Sequence, residues 1–515
     1  MTDRQLERSI EWEAASEPIV LEHLTFPTPL LMPGTSKVTI ARDDNLQLQL
    51  VGEGVLTEGG AYKRRRDEEG AIEAGAFYPT SEVSIDTPGG KLALRMHVEH
   101  VPFWLQLSGR ERRFRQRGLV QKLLWTFSQR FVFDETTDTP RVETISEPAW
   151  RSDWYVNGVT GLHFARRTRR RRLGSFSRER EFQGIVLHEA PGGDAGAWDH
   201  VVVDAPGVRF AYCSVPDGRA PTNLKAVSID FVAPLPDEDT RTAVAEIASF
   251  VLGRRLMRLG STTFHASGSS IEEESVNPWG TNVPQLCRKP DLPPVAYNSD
   301  GRTLEALLTQ LVPRYLAARE PLGLREALWN YWIAKEAPAS VDLPIFSSAV
   351  DVLKLNWFAS TSSKSKGLHL SKQEFELLAG DFIEELRHRV REKNFPEELT
   401  RNFAGANRMG FGEQTRAFLK EIDIPIGKPE RAAMKARGQS AHGAVGGEEL
   451  TELVRLGNAY RTLFERVFLR LLGYEGKYVD RTTEGWPERP LGQPAGGQAD
   501  PGGSPAPTGG EATNG

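Results

Sequence analysis

A chain of 515 residues, 39% hydrophobic and 26% charged, has room for two or three domains with sizeable cores and is no small stapled module. Its net charge of −5 excludes overall attraction to nucleic acid, so any such binding must come from local patches. Cys213 and Cys287 are too few for a disulfide framework and wrongly spaced for a zinc site. The opening Met-Thr-Asp-Arg-Gln-Leu-Glu-Arg lacks the apolar core of a signal peptide, and no later run approaches membrane-spanning length. The expectation is a cytoplasmic protein that does not engage a membrane.

Residues 1–290 read as a β-rich domain, a sandwich or barrel-like fold, because short apolar runs alternate with polar residues and are cut by Gly, Pro and Asp. Val38 and Ile40, then Leu46, Leu48 and Leu50, set this period of two. Leu92, Leu94, Met96 and Val98 continue it, as do Val201 to Val203 and Val227, Ile229 and Phe231. One helix interrupts: from Asp239 to Leu256, the residues Val244, Ile247, Phe250 and Val251 keep helical spacing.

Three basic runs lie in this domain. The densest places Arg166, Arg167, Arg169, Arg170, Arg171 and Arg172 within seven positions, close to Trp154, Tyr155, Phe164 and Phe176. A phosphate-binding hairpin with stacking rings is one reading; a solvated loop is the plainer one. His97, Glu99 and His100 do not converge as metal ligands on a strand, since His100 faces away from the other two. No Walker loop, nucleophile elbow or zincin helix is present, and the sequence calls for no metal and no cofactor.

The prolines between 281 and 300 mark a linker, after which the apolar period becomes helical. Residues 297–482 are expected to form an all-α bundle. Its stripes run through Leu304 to Tyr315, Leu324 to Trp332, Val350 to Trp357, and Phe375, Leu378, Phe382, Leu386 and Val390. A final helix from about Glu448 to Leu472 stops at Gly473. From Thr483 to 515 the chain turns to Pro, Gly, Ala and Asp, and the expectation is a disordered tail. The fold class is therefore α+β and multidomain.

Arg437 precedes His442 by five positions, with Gly438 and Gly443 following each. A permanent cation beside a group that titrates near neutrality suits phosphate chemistry: the guanidinium grips a phosphoryl group while the imidazole moves a proton. The residues alone favour a plainer reading, with Arg437 solvated and His442 capping a helix end. On a regular helix the two side chains point about 140° apart, which a helix break near Gly438 or a site composed across a two-fold axis would relieve.

Ala436-Arg437 through His442-Gly443, followed by Leu471-Leu472-Gly473-Tyr474 with Gly476 and Tyr478, resembles the C-terminal part of the ApeA-like HEPN family of helical domains. That family usually has asparagine where Gly438 stands here. The resemblance implies a metal-independent endoribonuclease working as a homodimer through the helical domain, in defence against phage by abortive infection. RNA would be the substrate, Arg437 would hold the scissile phosphate, and His442 would be the general acid or base for attack by the 2′-hydroxyl. The alternative is a non-catalytic HEPN module that binds RNA, a nucleotide or a protein, with the β-rich domain as sensor of an unidentified phage-derived trigger. Gly438 is the feature that favours this alternative.

Overall fold

In a computed structural model, the described residues are 15, 18–22, 34–43, 47–56, 81–87, 90–97, 104–108, 111–127, 129–134, 139–144, 149, 151–157, 178–182, 185–189, 200–214, 226–265, 270–278, 292–295, 302–339, 341–360, 362–440 and 450–497. They form two compact units of mixed α+β structure. The first takes residues 1–292 and 297–313, the second residues 293–296 and 314–515. The chain passes between the units at 292/293 and 296/297, within the proline-rich linker, and again inside a helix at Pro313.

In the first unit the strands are β1 (Ile19–Glu22), β2 (Thr35–Arg42), β3 (Leu48–Leu56), β4 (Ser81–Thr87), β5 (Gly90–His97), β6 (Trp104–Ser108), β7 (Glu111–Phe127), β8 (Gln129–Asp134) and β9 (Thr139–Thr144). They continue with β10 (Arg151–Asn157), β11 (Arg178–Phe182), β12 (Ile185–Glu189), β13 (His200–Ala205), β14 (Val208–Ser214) and β15 (Ala226–Val232). Helix α1 (Glu238–Val251) then precedes β16 (Arg258–Phe264) and β17 (Ser270–Val276).

Thirteen of these strands share one sheet, ordered β1-β2-β3-β7-β17-β16-β10-β15-β14-β13, with β4, β5 and β6 branching at β7. The 17-residue β7 is the hinge of this arrangement. Its first half pairs with β3 and β6, and its second half with β5 and β17. A strand has two edges, so the registers put β3 and β17 end to end along one edge and β6 and β5 along the other.

Strict alternation on β2, β3 and β5 sends Val38, Ile40, Leu48, Leu50, Leu92 and Leu94 into one core with Val120 and Leu123 of β7. A second buried set includes Trp154, Phe210 and Phe231, with the Trp154 and Phe231 rings 5.7 Å apart edge to face. The Arg258 guanidinium lies 4.2 Å from the Trp154 ring centroid. Helix α1 starts at the Asp237 cap, whose carboxylate accepts from the Thr240 N–H, and its stripe Val244, Ile247, Phe250 and Val251 is buried as expected. It ends earlier than its periodicity suggests, because Gly253 takes φ 69° and lets the Arg254 N–H reach the Ser249 carbonyl, after which the Ser249 hydroxyl accepts from the Leu256 N–H.

The remaining helices are α2 (Arg302–Ala318), α3 (Leu324–Glu336), α4 (Asp342–Ala359), α5 (Lys372–Glu392), α6 (Glu398–Ala404), α7 (Phe411–Glu421), α8 (Lys428–Ser440) and α9 (Leu450–Leu471), followed by β18 (Lys477–Val479) and β19 (Glu488–Pro490). In the second unit α4 is central, packing against α3, α7, α8 and α9. Helix α9 ends as Gly473 predicts: at φ 65° this residue lets the Gly473 N–H reach the Arg470 carbonyl and the Tyr474 N–H reach that of Leu469.

One expectation fails in this unit, and one helix, α5, forms where its stripe placed it but keeps that stripe open. The α5 stripe is largely unburied: among its large apolar residues only Ile383 and Val390 are buried, while Leu378 and Phe382 are exposed. Residues 483–497, expected to lack order, fold back as a clasp closed by the antiparallel β18–β19 pair. Polar groups hold this clasp, which is why its composition hid it. Asp480 accepts from Arg489, Thr482, Thr483 and the Gly496 N–H, and Arg466 donates to the Leu491 carbonyl.

Beneath it, Glu465 receives Arg481, the Tyr331 hydroxyl and the partly exposed Arg461, while Glu430 receives Arg466 at 2.5 Å, and apart from Arg461 these side chains are buried. Burial opposes the charge on Glu465, but Arg481 and Arg461 hold its carboxyl below the usual range. Replacing Glu430 by Gln strands the buried Arg466 charge. The expected outcome is a loss of about 3 kcal/mol in unfolding free energy, read by denaturant titration, with faster proteolysis in residues 483–497.

Candidate functional site

Arg437 lies in the last turn of α8, where the helix C-terminus favours a cation. Its Nη2 donates to Asp351 Oδ2 of α4 at 2.9 Å, and its guanidinium carbon sits 3.7 Å from the centre of the Phe411 ring at the start of α7. Three helices thus fix this side chain, which keeps 26% of its surface open to solvent.

The same carboxylate holds a second cation. Lys354, one helical turn after Asp351, donates to its Oδ1 at 2.8 Å and to Thr415 Oγ1 at 3.3 Å, and also lies 3.7 Å from the Phe411 ring centre. Its side chain is only 1% exposed. Burial pulls the ammonium below its ordinary pKa, while Asp351 pulls the other way. One turn earlier on α4, Ser347 accepts from the buried Tyr460 hydroxyl of α9 at 3.3 Å. Burial pushes that phenol up to about 12, so it stays protonated at neutral pH.

Asp351, Lys354 and Arg437 together carry two positive charges against one negative. The Asp351 bond uses one Nη of a fork with five N–H donors, and charge-assisted bonds to a phosphate are what the rest of such a fork makes well. The site is therefore chemically suited to an anion at the exposed side of Arg437.

Helix α8 continues through Gly438 to Ser440, so of the two ways to bring Arg437 and His442 together a helix break near Gly438 is absent. His442 lies outside the described residues, as do Arg166, Arg167, Arg169, Arg170, Arg171 and Arg172. Of the residues expected to act, the structure thus places Arg437. Asp351, Lys354, Thr415 and Phe411 were missed by sequence reasoning. Asp351 and Lys354 did leave a signal, as the charged pair within the otherwise small and apolar middle of α4, Pro-Ile-Phe-Ser-Ser-Ala-Val-Asp-Val-Leu-Lys-Leu.

At the start of α4, Asp342 faces Gly457 of α9, where any Cβ would run into its carboxylate. Its Oδ1 has no hydrogen-bond partner among the described residues. Burial pushes this carboxyl up to about 6, against the pull of the Leu343 N–H. Because the folded value exceeds the unfolded one of about 3.9, the acid form is the favoured partner of the fold. The stabilising contribution is complete below the unfolded value and is lost as pH rises through about 6.

Asp342→Asn is accordingly expected to melt higher than the parent at neutral pH, with the difference vanishing below about pH 4. Asp351→Asn, which leaves the Lys354 ammonium buried without a carboxylate, is expected to cost about 3 kcal/mol in urea unfolding. Adding Lys354→Met should recover most of that loss, because the uncompensated charge goes with it.

Among the described residues no group of three or more His, Cys, Asp or Glu side chains is arranged to hold a metal ion, and no helix is long and apolar enough to cross a membrane. A scan against protein-family models gives no match, and searches of curated proteins and of solved structures give none either.

Proposed function

We propose that the second unit is a HEPN-type helical bundle acting as a metal-independent endoribonuclease, in the cytoplasm and as a homodimer, in anti-phage defence by abortive infection, with the β-rich first unit contacting RNA or sensing a trigger. The observation that carries this reading is Arg437: a half-buried guanidinium, aimed by Asp351 and Phe411 at the end of α8, five residues before His442. The motif from Leu471 to Tyr478, which resembles the ApeA-like ending, adds support. In this scheme Arg437 neutralises the scissile phosphate, and His442 removes the proton of the 2′-hydroxyl or supplies one to the leaving oxygen. The six arginines from Arg166 to Arg172 would add contacts to the RNA backbone.

The test incubates purified protein with RNA and with DNA of the same sequence, in the presence of a chelator. RNA should be cut and DNA spared, since DNA lacks the attacking hydroxyl. His442→Ala should slow cleavage by about 10²- to 10⁴-fold, and Arg437→Ala should do so without moving the melting temperature far. A His442→Ala protein that cuts RNA as fast as the parent would sink the reading. RNA retained without products by the parent would support the non-catalytic module, which the glycine at 438 favours.

A further inference from the structure

Helix α8 divides its charges between two sides. Its one acid, Glu430, faces inward and is fully buried against Arg466, and Arg437 turns inward to Asp351. Lys428, Arg431 and Lys435 are exposed. At about 100° per residue these three lie within an arc of about 60°, along roughly 10 Å of the helix. They form one outward stripe of cations, opposite the buried Glu430 and Ala433.

The fold gives this stripe no counter-charge. Among the described residues no carboxylate pairs with any of the three, and the Arg431 guanidinium donates to the Ile426 carbonyl. In α5, by contrast, Arg387 and Arg389 meet Glu384 and Glu385 within the helix. Nor does α8 gain from the arrangement. Lys428 and Arg431 occupy its first turn, where the helix dipole disfavours cations, and like charges three and four positions apart repel. Three charges that weaken their own helix and meet no acid within the fold call for an anion outside it.

The dimensions suit a nucleic-acid backbone. A stacked strand carries one phosphate per about 3.4 Å, so the stripe spans about three successive phosphates. An anionic membrane would also be attracted, but α8 exposes no large apolar side chain with which to enter a bilayer surface. The stripe runs toward the helix end that holds Arg437, and His442 follows Lys435 by seven positions, the interval that separates Lys428 from Lys435. Because Arg437 points to the other side of α8, a strand on the stripe must bend over the helix end to reach it. A single strand makes that bend more readily than a stiff duplex.

We propose that Lys428, Arg431 and Lys435 form a phosphate track that holds the backbone of single-stranded RNA beside the Arg437 site. The proposal deepens the RNA reading above and rests on RNA being the ligand, whether cut or merely held.

The test measures binding of a fluorescent single-stranded RNA to the full chain carrying His442→Ala across a salt series. Adding Lys428→Gln, Arg431→Gln and Lys435→Gln together should weaken binding by about tenfold or more at about 0.1 M salt. The slope of log affinity against log salt should fall by about 2, since each single-strand phosphate contact contributes about 0.7. The charge-keeping set Lys428→Arg, Arg431→Lys and Lys435→Arg should retain both. Because like charges are removed, the triple glutamine variant should melt no lower than its parent, which separates lost contacts from lost fold. Unchanged affinity and slope overturn the proposal, as does capture of phosphatidylserine vesicles but not of RNA. A parent with His442 intact that binds RNA through the stripe yet cuts none keeps the proposal and loses the ribonuclease reading. One that cuts and binds RNA equally well without the three cations keeps that reading and loses the proposal.

Discussion

Asp351 is shared between two cations, and the chemistry of the helical unit depends on that sharing. A buried ammonium such as Lys354 is tolerated only with a carboxylate in contact, so Asp351 must face it. Once there, its second oxygen takes Arg437, and the Phe411 ring packs against both cations. Residues from α4, α7 and α8 are thereby tied at one point. The arginine that could meet a phosphate is held in place by a group whose first obligation is to the core.

The same principle recurs at the other end of the unit. Glu430 and Glu465 are buried because Arg466, Arg461 and Arg481 meet them, and those arginines in turn hold the chain beyond α9. An ionic interior tolerates fewer arrangements than an apolar one, since a displaced partner leaves a charge without solvent. Here it closes a segment that has few apolar side chains of its own. The first unit is organised differently: its registers follow from which face of each strand is apolar, and one long strand, β7, serves four neighbours.

The α5–α6 hairpin contrasts with both. Its stem is fixed by hydrogen bonds, yet its apolar stripe is not spent on the unit's own core. An amphipathic helix of this kind gains little from folding alone, because helical stability in proteins comes mostly from burying such a face. The stripe therefore stays open on a stem that is firmly held.

Local periodicity was legible in the sequence because it is a property of neighbours. Alternation placed Val38, Ile40, Leu48 and Leu50 on one core face, helical stripes located α1 to α4 and α9, and Gly473 marked the end of α9. Arg437 could be singled out as a candidate, but its partners could not, since Asp351 stands 86 residues away. Order in residues 483–497 was hidden for the same reason: it depends on Asp480, Arg466 and Glu465 meeting groups on other elements, which composition cannot report. The α5 stripe was visible, while its exposure was not. Sequence by itself determined the apolar period of the longer strands and helices; only the tertiary structure decided which charges meet and which apolar faces stay open, because those depend on contacts between residues far apart in the chain.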